Sequence, residues 1–274
     1  MAIQVENINM AILKNKNAEI YYEIRGEGKP LIFLAGLASD SQSWSTVMNR
    51  LSKEFMLIMP DNRGCGRTSC PLDEITIQGM ADDVIALMDH LNIEKADLLG
   101  HSMGGYVAQQ LCLDHPDRFD KLILAASSSF TNKRNKALLN DLVKYRKDGM
   151  DLREWFRCLF FWIFSRQFFE DEKMLDLSLT YSVEYPFPQS LEQFIMQVQA
   201  LNSFDISERL KEIHHPALIL CGKDDLLFNP YESIQVLSEI PASEVALIEN
   251  AAHAIHTEQP EAFVKEVVAF LEKA

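Results

Sequence analysis

The strongest constraint on the fold is a set of short runs that are apolar at nearly every position. They lie at residues 31–34, 55–59, 96–99, 122–125, 217–221 and 245–248. A strand with one face in water alternates apolar and polar side chains. A run without that alternation has to be covered on both faces, as in a parallel sheet held between helices. The segments between the runs have helical spacing. In 76–91, Met80, Val84, Leu87, Met88 and Leu91 form one stripe, while Asp82, Asp83 and Asp89 lie elsewhere on the helix. Thr76 is placed to cap its start. Strand alternating with helix predicts an α/β fold with a doubly wound, mostly parallel sheet. The amphipathic run 19–25, ahead of Gly26 and Gly28, predicts an antiparallel edge strand leading in.

The alternation stops after Ser129. Residues 132–209 hold only helical patterns, at 136–146, 152–164, 171–183 and 191–202, and strands resume at Ala217. This predicts an all-helical cap, residues 131–209, inserted into a core formed by 1–130 and 210–274. A chain of 274 residues suits one large domain with one insertion. On the helix at 152–164, the stripe Leu152, Trp155, Phe156, Leu159, Phe160 and Ile163 is enough for packing. Phe161, Trp162, Phe164 and Phe168 are surplus to it and are expected to line an apolar substrate pocket.

Twenty-six basic residues against 40 acidic ones give a formal net charge of -14. Affinity for phosphate backbones rests on Lys and Arg, so nucleic acid is excluded as a partner. The five cysteines, Cys65, Cys70, Cys112, Cys158 and Cys221, are odd in number and lack CxxC spacing. That is a reduced, cytoplasmic pattern rather than a disulfide framework. No Cys or His pairs have zinc-ligand spacing, so no metal is expected. The N-terminal stretch lacks the basic start and apolar core of a secretory leader. The most apolar stretch, 156–164, is too short to span a bilayer. The predicted partner is a small molecule, and the oligomeric state is not legible.

One motif carries chemistry. Gly100-His101-Ser102-Met103-Gly104 is a GxSxG that follows a predicted strand and opens a predicted helix. That is the setting in which a sharp turn lifts a serine Oγ above a sheet. The glycines are needed because side chains there would collide with the neighbouring strand and helix. The helix N-terminus supplies backbone N–H groups for an oxyanion. A serine hydroxyl needs a base. Asp224 and Asp225 follow the run 217–221, and His253 follows the run 245–248. Both loops leave the sheet at the same edge as Ser102, where α/β sheets place their sites. The acid is therefore expected from the Asp224–Asp225 pair, and His253 is expected as the base with His256 as its rival.

These features resemble the α/β-hydrolase superfamily over essentially the whole chain. Besides Gly100 to Gly105, the likeness rests on 61–68 (DNRGCGRT), on 216–222 (PALILCG) and on the stretch from Ala252-His253 to Pro260. Asp61 and Arg63 read as a structural pair holding their loop. The resemblance is strongest to 3-oxoadipate enol-lactonases and small carboxylesterases, and the pimeloyl-carrier-protein methyl esterases are similar. It implies a triad of Ser102, Asp225 and His253, with Asp225 chosen by the family's G-x-x-D spacing. It implies an oxyanion hole from the N–H groups of Met103 and Leu37. The family's usual His-Gly before that second donor is Ala35-Gly36 here, and its usual Gly-His is Ala252-His253. The implied activity is hydrolysis of a carboxylic ester or lactone of a small to medium apolar substrate, without a cofactor. Relatives that act as ligand sensors keep the same triad, so a sensor with little turnover is the alternative. Haloalkane dehalogenases and epoxide hydrolases carry Asp where this chain has Ser102.

Overall fold

The computed structural model describes residues 9–273. Its strands are β1 (Asn9–Asn15), β2 (Ala18–Arg25), β3 (Lys29–Leu34), β4 (Phe55–Pro60), β5 (Ala96–His101), β6 (Phe119–Ala125), β7 (Ala217–Gly222) and β8 (Ser243–Ile248). They form one eight-stranded sheet in the order β1-β2-β4-β3-β5-β6-β7-β8. The pairs β1–β2 and β2–β4 are antiparallel, and all the others are parallel. The helices are α1 (Met48–Leu51), α2 (Ile77–His90), α3 (Met103–Asp114), α4 (Lys133–Lys147), α5 (Leu152–Ile163), α6 (Arg166–Glu170), α7 (Glu172–Val183), α8 (Leu191–Ser203), α9 (Pro230–Leu237), α10 (Ile255–Glu258) and α11 (Pro260–Leu271).

Alternation along each central strand divides the interior into two cores. On β3, Ile32 and Leu34 pack with Val84 and Leu87 of α2 and Val107 of α3. Leu31 and Phe33 point the other way, onto Trp44, Leu51 of α1 and Phe263 and Val267 of α11. Each such side chain contributes roughly 1.5–3 kcal/mol by leaving water. Helices thus cover both faces, as runs without polar positions require. The Thr76 hydroxyl accepts the Gly79 N–H at 2.9 Å and caps α2.

Helices α4 to α8 all fall between β6 and β7. The two ends of this insertion meet. Phe130 and Asp205 form an antiparallel bridge, and the Ile206 N–H donates to the Ser129 carbonyl at 3.1 Å. No helix among the described residues is long and apolar enough to cross a membrane.

Three expectations change. The run 19–25 is not the edge strand: β1 lies outside it, joined by the Lys16-Asn17 turn in which Lys16 has φ +53°. Exposed Met10 and Ile12 on β1 mask the alternation that marks a half-buried strand. The run 245–248 is not covered on both faces. It ends the sheet as β8, and Val245 and Leu247 are exposed while Ala246 and Ile248 pack inward. Asp61 and Arg63 do not pair with each other. Asp61 binds Arg67 at 2.8 Å. Arg63 crosses to α2, where its Nε and Nη2 grip the Asp83 carboxylate at 2.6 and 2.8 Å. Its Nη1 reaches Glu74 at 2.8 Å. Residues 1–8, on which part of the leader argument rests, lie outside the described residues.

The Arg63–Asp83 pair is buried, so removing Asp83 leaves the buried guanidinium with only the partly exposed Glu74. Asp83→Ala is expected to lower stability by about 3–5 kcal/mol in urea unfolding. Asp89→Ala, which removes the exposed partner of Arg118, is expected to cost about 1 kcal/mol or less. Equal costs would show that Glu74 alone compensates the Arg63 charge.

Candidate active site

Strand β5 ends at His101, α3 begins at Met103, and Ser102 is the single hinge between them. Its φ is +52° and its ψ is -118°. A serine held there stores on the order of 1–3 kcal/mol of backbone strain. The turn survives because its surroundings leave no alternative. A Cβ on Gly104 would lie 1.9 Å from the Leu34 carbonyl oxygen, and one on Gly100 would lie 2.3 Å from that of Gly104. The Ser102 N–H donates to the Ala125 carbonyl at 2.9 Å. Its own carbonyl accepts from the Gly105 N–H at 2.9 Å and from Ser127 Oγ at 2.8 Å. Packing and hydrogen bonds together hold the turn with Oγ beyond the C-terminal edge of the sheet.

Two loops from the same edge bring Asp225 and His253 together. Asp225 follows β7 and is buried. Its Oδ1 accepts the N–H groups of Leu227 at 2.8 Å and Phe228 at 2.9 Å. Its Oδ2 lies 3.0 Å from His253 Nδ1. A carboxylate bonded this way only accepts, so Nδ1 carries a proton, and in the neutral imidazole it is Nε2 that holds the lone pair. The Phe228 ring stacks on the imidazole with centroids 5.5 Å apart. Asp224 is exposed, and among the described residues its carboxylate makes no hydrogen bond.

His256 is not brought to Asp225. It is buried against Trp44, with ring centroids 4.7 Å apart, and burial pushes its pKa down to about 3. His101 donates from Nε2 to the His253 carbonyl at 2.9 Å. Burial, with His256 and His253 close by, holds its pKa well below the usual imidazole range. Neutral His101 therefore fixes the backbone of His253.

Ser102, His253 and Leu37 line one cavity of about 260 Å³ between the sheet edge and the helices above it. Met103 is the first residue of α3, so its N–H has no acceptor within the helix. The Leu37 N–H donates to no backbone group among the described residues. The loop carrying Leu37 is held at both ends. Asn62 Nδ2 donates to the Ala35 carbonyl at 2.9 Å, and Gln197 Oε1 accepts the Ala38 N–H at 3.1 Å. Nothing in the motif reading singled out Gln197. Its signal is a polar residue on the apolar stripe Phe194, Val198 and Leu201, where it is fully buried.

The aromatic lining differs from expectation. Phe164 borders the cavity, whereas Phe161, Trp162 and Phe168 do not. Phe161 is half exposed and stacks on Phe169. Trp162 lies under the Arg134 guanidinium, and Phe168 stacks on Phe164. The stripe assigned to packing supplies the wall instead, through Phe156, Leu159, Phe160 and Ile163. The physical reason is that the insertion packs over the site, so the face that packs is also the face over Ser102. No three His, Cys, Asp or Glu side chains among the described residues come together as metal ligands.

A mostly parallel sheet with helices on both faces, and a strained serine at its C-terminal edge, defines a hydrolase of the α/β class. The chain belongs to the alpha/beta hydrolase fold family, whose model matches residues 29–260. It is 29% identical over 258 residues to the Agrobacterium fabrum protein named "Putative carbamate hydrolase RutD", covering 92% of this chain and 98% of that one. The enol-lactonase from Burkholderia xenovorans LB400 superimposes with a TM-score of 0.86 at 24% identity, covering 96% of this chain and 100% of that one. An esterase from Exiguobacterium antarcticum superimposes with a TM-score of 0.85 at 24% identity, covering 96% and 99%. At such identities the two structures speak for the fold alone.

Proposed function

We propose that this protein is a serine hydrolase that cleaves a carboxylic ester or lactone through an acyl-enzyme on Ser102. The observation that carries the reading is the Asp225–His253 bond of 3.0 Å. It leaves Nε2 of His253 without a hydrogen-bond partner among the described residues, in a protein whose His253 and strained Ser102 share one cavity. In this reading His253 takes the Ser102 proton as Oγ attacks the substrate carbonyl. Asp225 holds the tautomer and stabilises the imidazolium. The N–H groups of Met103 and Leu37 bind the oxyanion. His253 then protonates the leaving group and activates water for deacylation. The five cysteines are unpaired, which supports a reducing, cytoplasmic setting.

The cavity supports a substrate with two unlike ends. The chamber at Ser102 is walled by Leu138, Leu139, Leu142, Leu159, Phe194 and Leu201. A second chamber of about 510 Å³ shares Phe156, Phe160, Ile163 and Phe164 with it. Arg146 lines this outer chamber, and its guanidinium lies 5.3 Å from the centroid of Trp155. Burial lowers its pKa against the opposing charge of Glu192, and no carboxylate among the described residues forms a salt bridge with it. Asp40 faces the same chamber, but its oxygens already accept from the Gln42 N–H at 2.9 Å and the Tyr185 hydroxyl at 2.6 Å. The arrangement favours a substrate with an apolar part beside Ser102 and a carboxylate at its far end.

The test compares 4-nitrophenyl monoesters of dicarboxylic acids with esters of monoacids of equal length. Wild type is expected to favour the charged series by about tenfold or more in kcat/KM, as for a hydrogen bond to a charged group. Arg146→Leu is expected to erase that preference while the neutral series is unchanged. A wild type that prefers the neutral series removes the carboxylate from the proposal. No turnover of any ester or lactone would favour the sensor alternative.

A further inference from the structure

Gln197 is a fully buried amide on α8 whose every bond leaves its own helix. Its Oε1 accepts the Ala38 N–H at 3.1 Å and Gln189 Nε2 at 2.8 Å. Its Nε2 donates to the Arg63 carbonyl at 2.8 Å. Gln189 also donates to the Gly64 carbonyl at 2.6 Å. One side chain from the inserted helices therefore joins two loops of the sheet domain, residues 35–38 and 62–64. The first of these carries Leu37.

That loop is strained where Gln197 holds it. Ala38 has φ +57°, a conformation that residues with a Cβ adopt at a cost. Without an acceptor for its N–H, Ala38 is free to relax towards negative φ, and the neighbouring Leu37 peptide turns with it. Asn62 fixes the other end of the loop, at the Ala35 carbonyl, and two long bonds within the turn, from the Ser39 N–H to the Gly36 carbonyl at 3.3 Å and from Ser39 Oγ to the Leu37 carbonyl at 3.4 Å, add only weak restraint. Position 35 is alanine, so its own side chain supplies no hydrogen bond. A buried amide is also costly unless all its bonds are made, which makes this connection specific to one placement of α8.

From this geometry we infer that Gln197 is a positioning residue for the oxyanion donor Leu37, so that the hole is complete only when the inserted helices are seated on the core. The inference rests on the serine-hydrolase reading. The helices above Ser102 then do more than shape the substrate cavity: they hold one of the two groups that stabilise the transition state. A movement of α8 away from the sheet would switch off chemistry even with substrate bound.

The test uses the full chain and an activated ester. Gln197→Met keeps the length and apolar packing but cannot accept from Ala38. Gln197→Asn keeps an amide that is one methylene too short. Loss of a direct oxyanion donor costs about a hundredfold or more in kcat. Loosening a donor is expected to cost about tenfold in kcat per titrated active site, with KM within about threefold. Affinity for a boronate or trifluoromethyl ketone, which places an oxyanion in the hole, should fall by the same factor as kcat. Gln197→Glu retains the accepting oxygen, and burial favours its protonated form, which can still donate to Arg63. It is expected to stay within about fivefold of wild type. A purely structural role would lower the melting temperature and the number of active sites, and would leave kcat per site and analogue affinity untouched. That result, in either Met or Asn, overturns the role of Gln197 alone. A wild type that turns over no ester and binds no analogue overturns the serine-hydrolase reading and this role with it.

Discussion

Ser102→Ala is expected to reduce ester turnover by about a millionfold, which is to the background rate of the assay. The fold should survive. Alanine fits wherever serine fits, and the turn is held by the Ser102 backbone, through Ala125, Gly105 and Ser127, rather than by Oγ. Equal melting temperatures would show that the loss is chemical. Alanine also leaves the Asp225–His253 bond in place, since that bond does not involve Ser102. Undiminished turnover in this variant would place the nucleophile elsewhere.

The next largest effect is expected at Asp225. Asp225→Asn should lower kcat by on the order of four decades, because an amide there no longer dictates which imidazole nitrogen holds the proton. The Leu227 and Phe228 N–H groups bond to Oδ1, so the amide oxygen will take that place and present its NH2 to His253 Nδ1. The proton then moves to Nε2, which can no longer act as a base. Asp224→Asn is expected to change kcat by less than about threefold, since that exposed side chain makes no bond to His253. Steady-state kinetics on both variants gives the ranking, and the reverse ranking would displace Asp225.

The residues that meet at the sheet edge were readable because each sits just past an apolar run. Strands joined by helical crossovers run parallel, so the loops after β5, β7 and β8 leave the sheet at one edge. Gly100 and Gly104 were equally legible, because the close approach of backbone allows no side chain. Strand β1 was not: its outward Met10 and Ile12 break the expected alternation, and its pairing with β2 is decided by a turn of only Lys16 and Asn17. The partner of Arg63 was also out of reach. Asp83 lies 20 residues away on α2, and only the packing of α2 makes it nearer than Asp61. The aromatic wall inverted for a related reason. Helical periodicity identifies the face of α5 that packs but not what that face looks onto, and it looks onto Ser102 through Phe156 and Phe160. Gln197 left a trace, a polar side chain inside an apolar stripe, but its partners Ala38 and Arg63 belong to loops more than 130 residues upstream.

The central claim is that Ser102 is the nucleophile activated by His253. A fluorophosphonate reports it directly, because the reagent phosphonylates a serine only where a base and oxyanion donors act on it together. The protein is incubated with the reagent, digested, and mapped by mass spectrometry. The account predicts one adduct per chain, on the peptide carrying Ser102, and no adduct in His253→Ala. An adduct on another serine, equal labelling without His253, or no adduct on the wild type would contradict it.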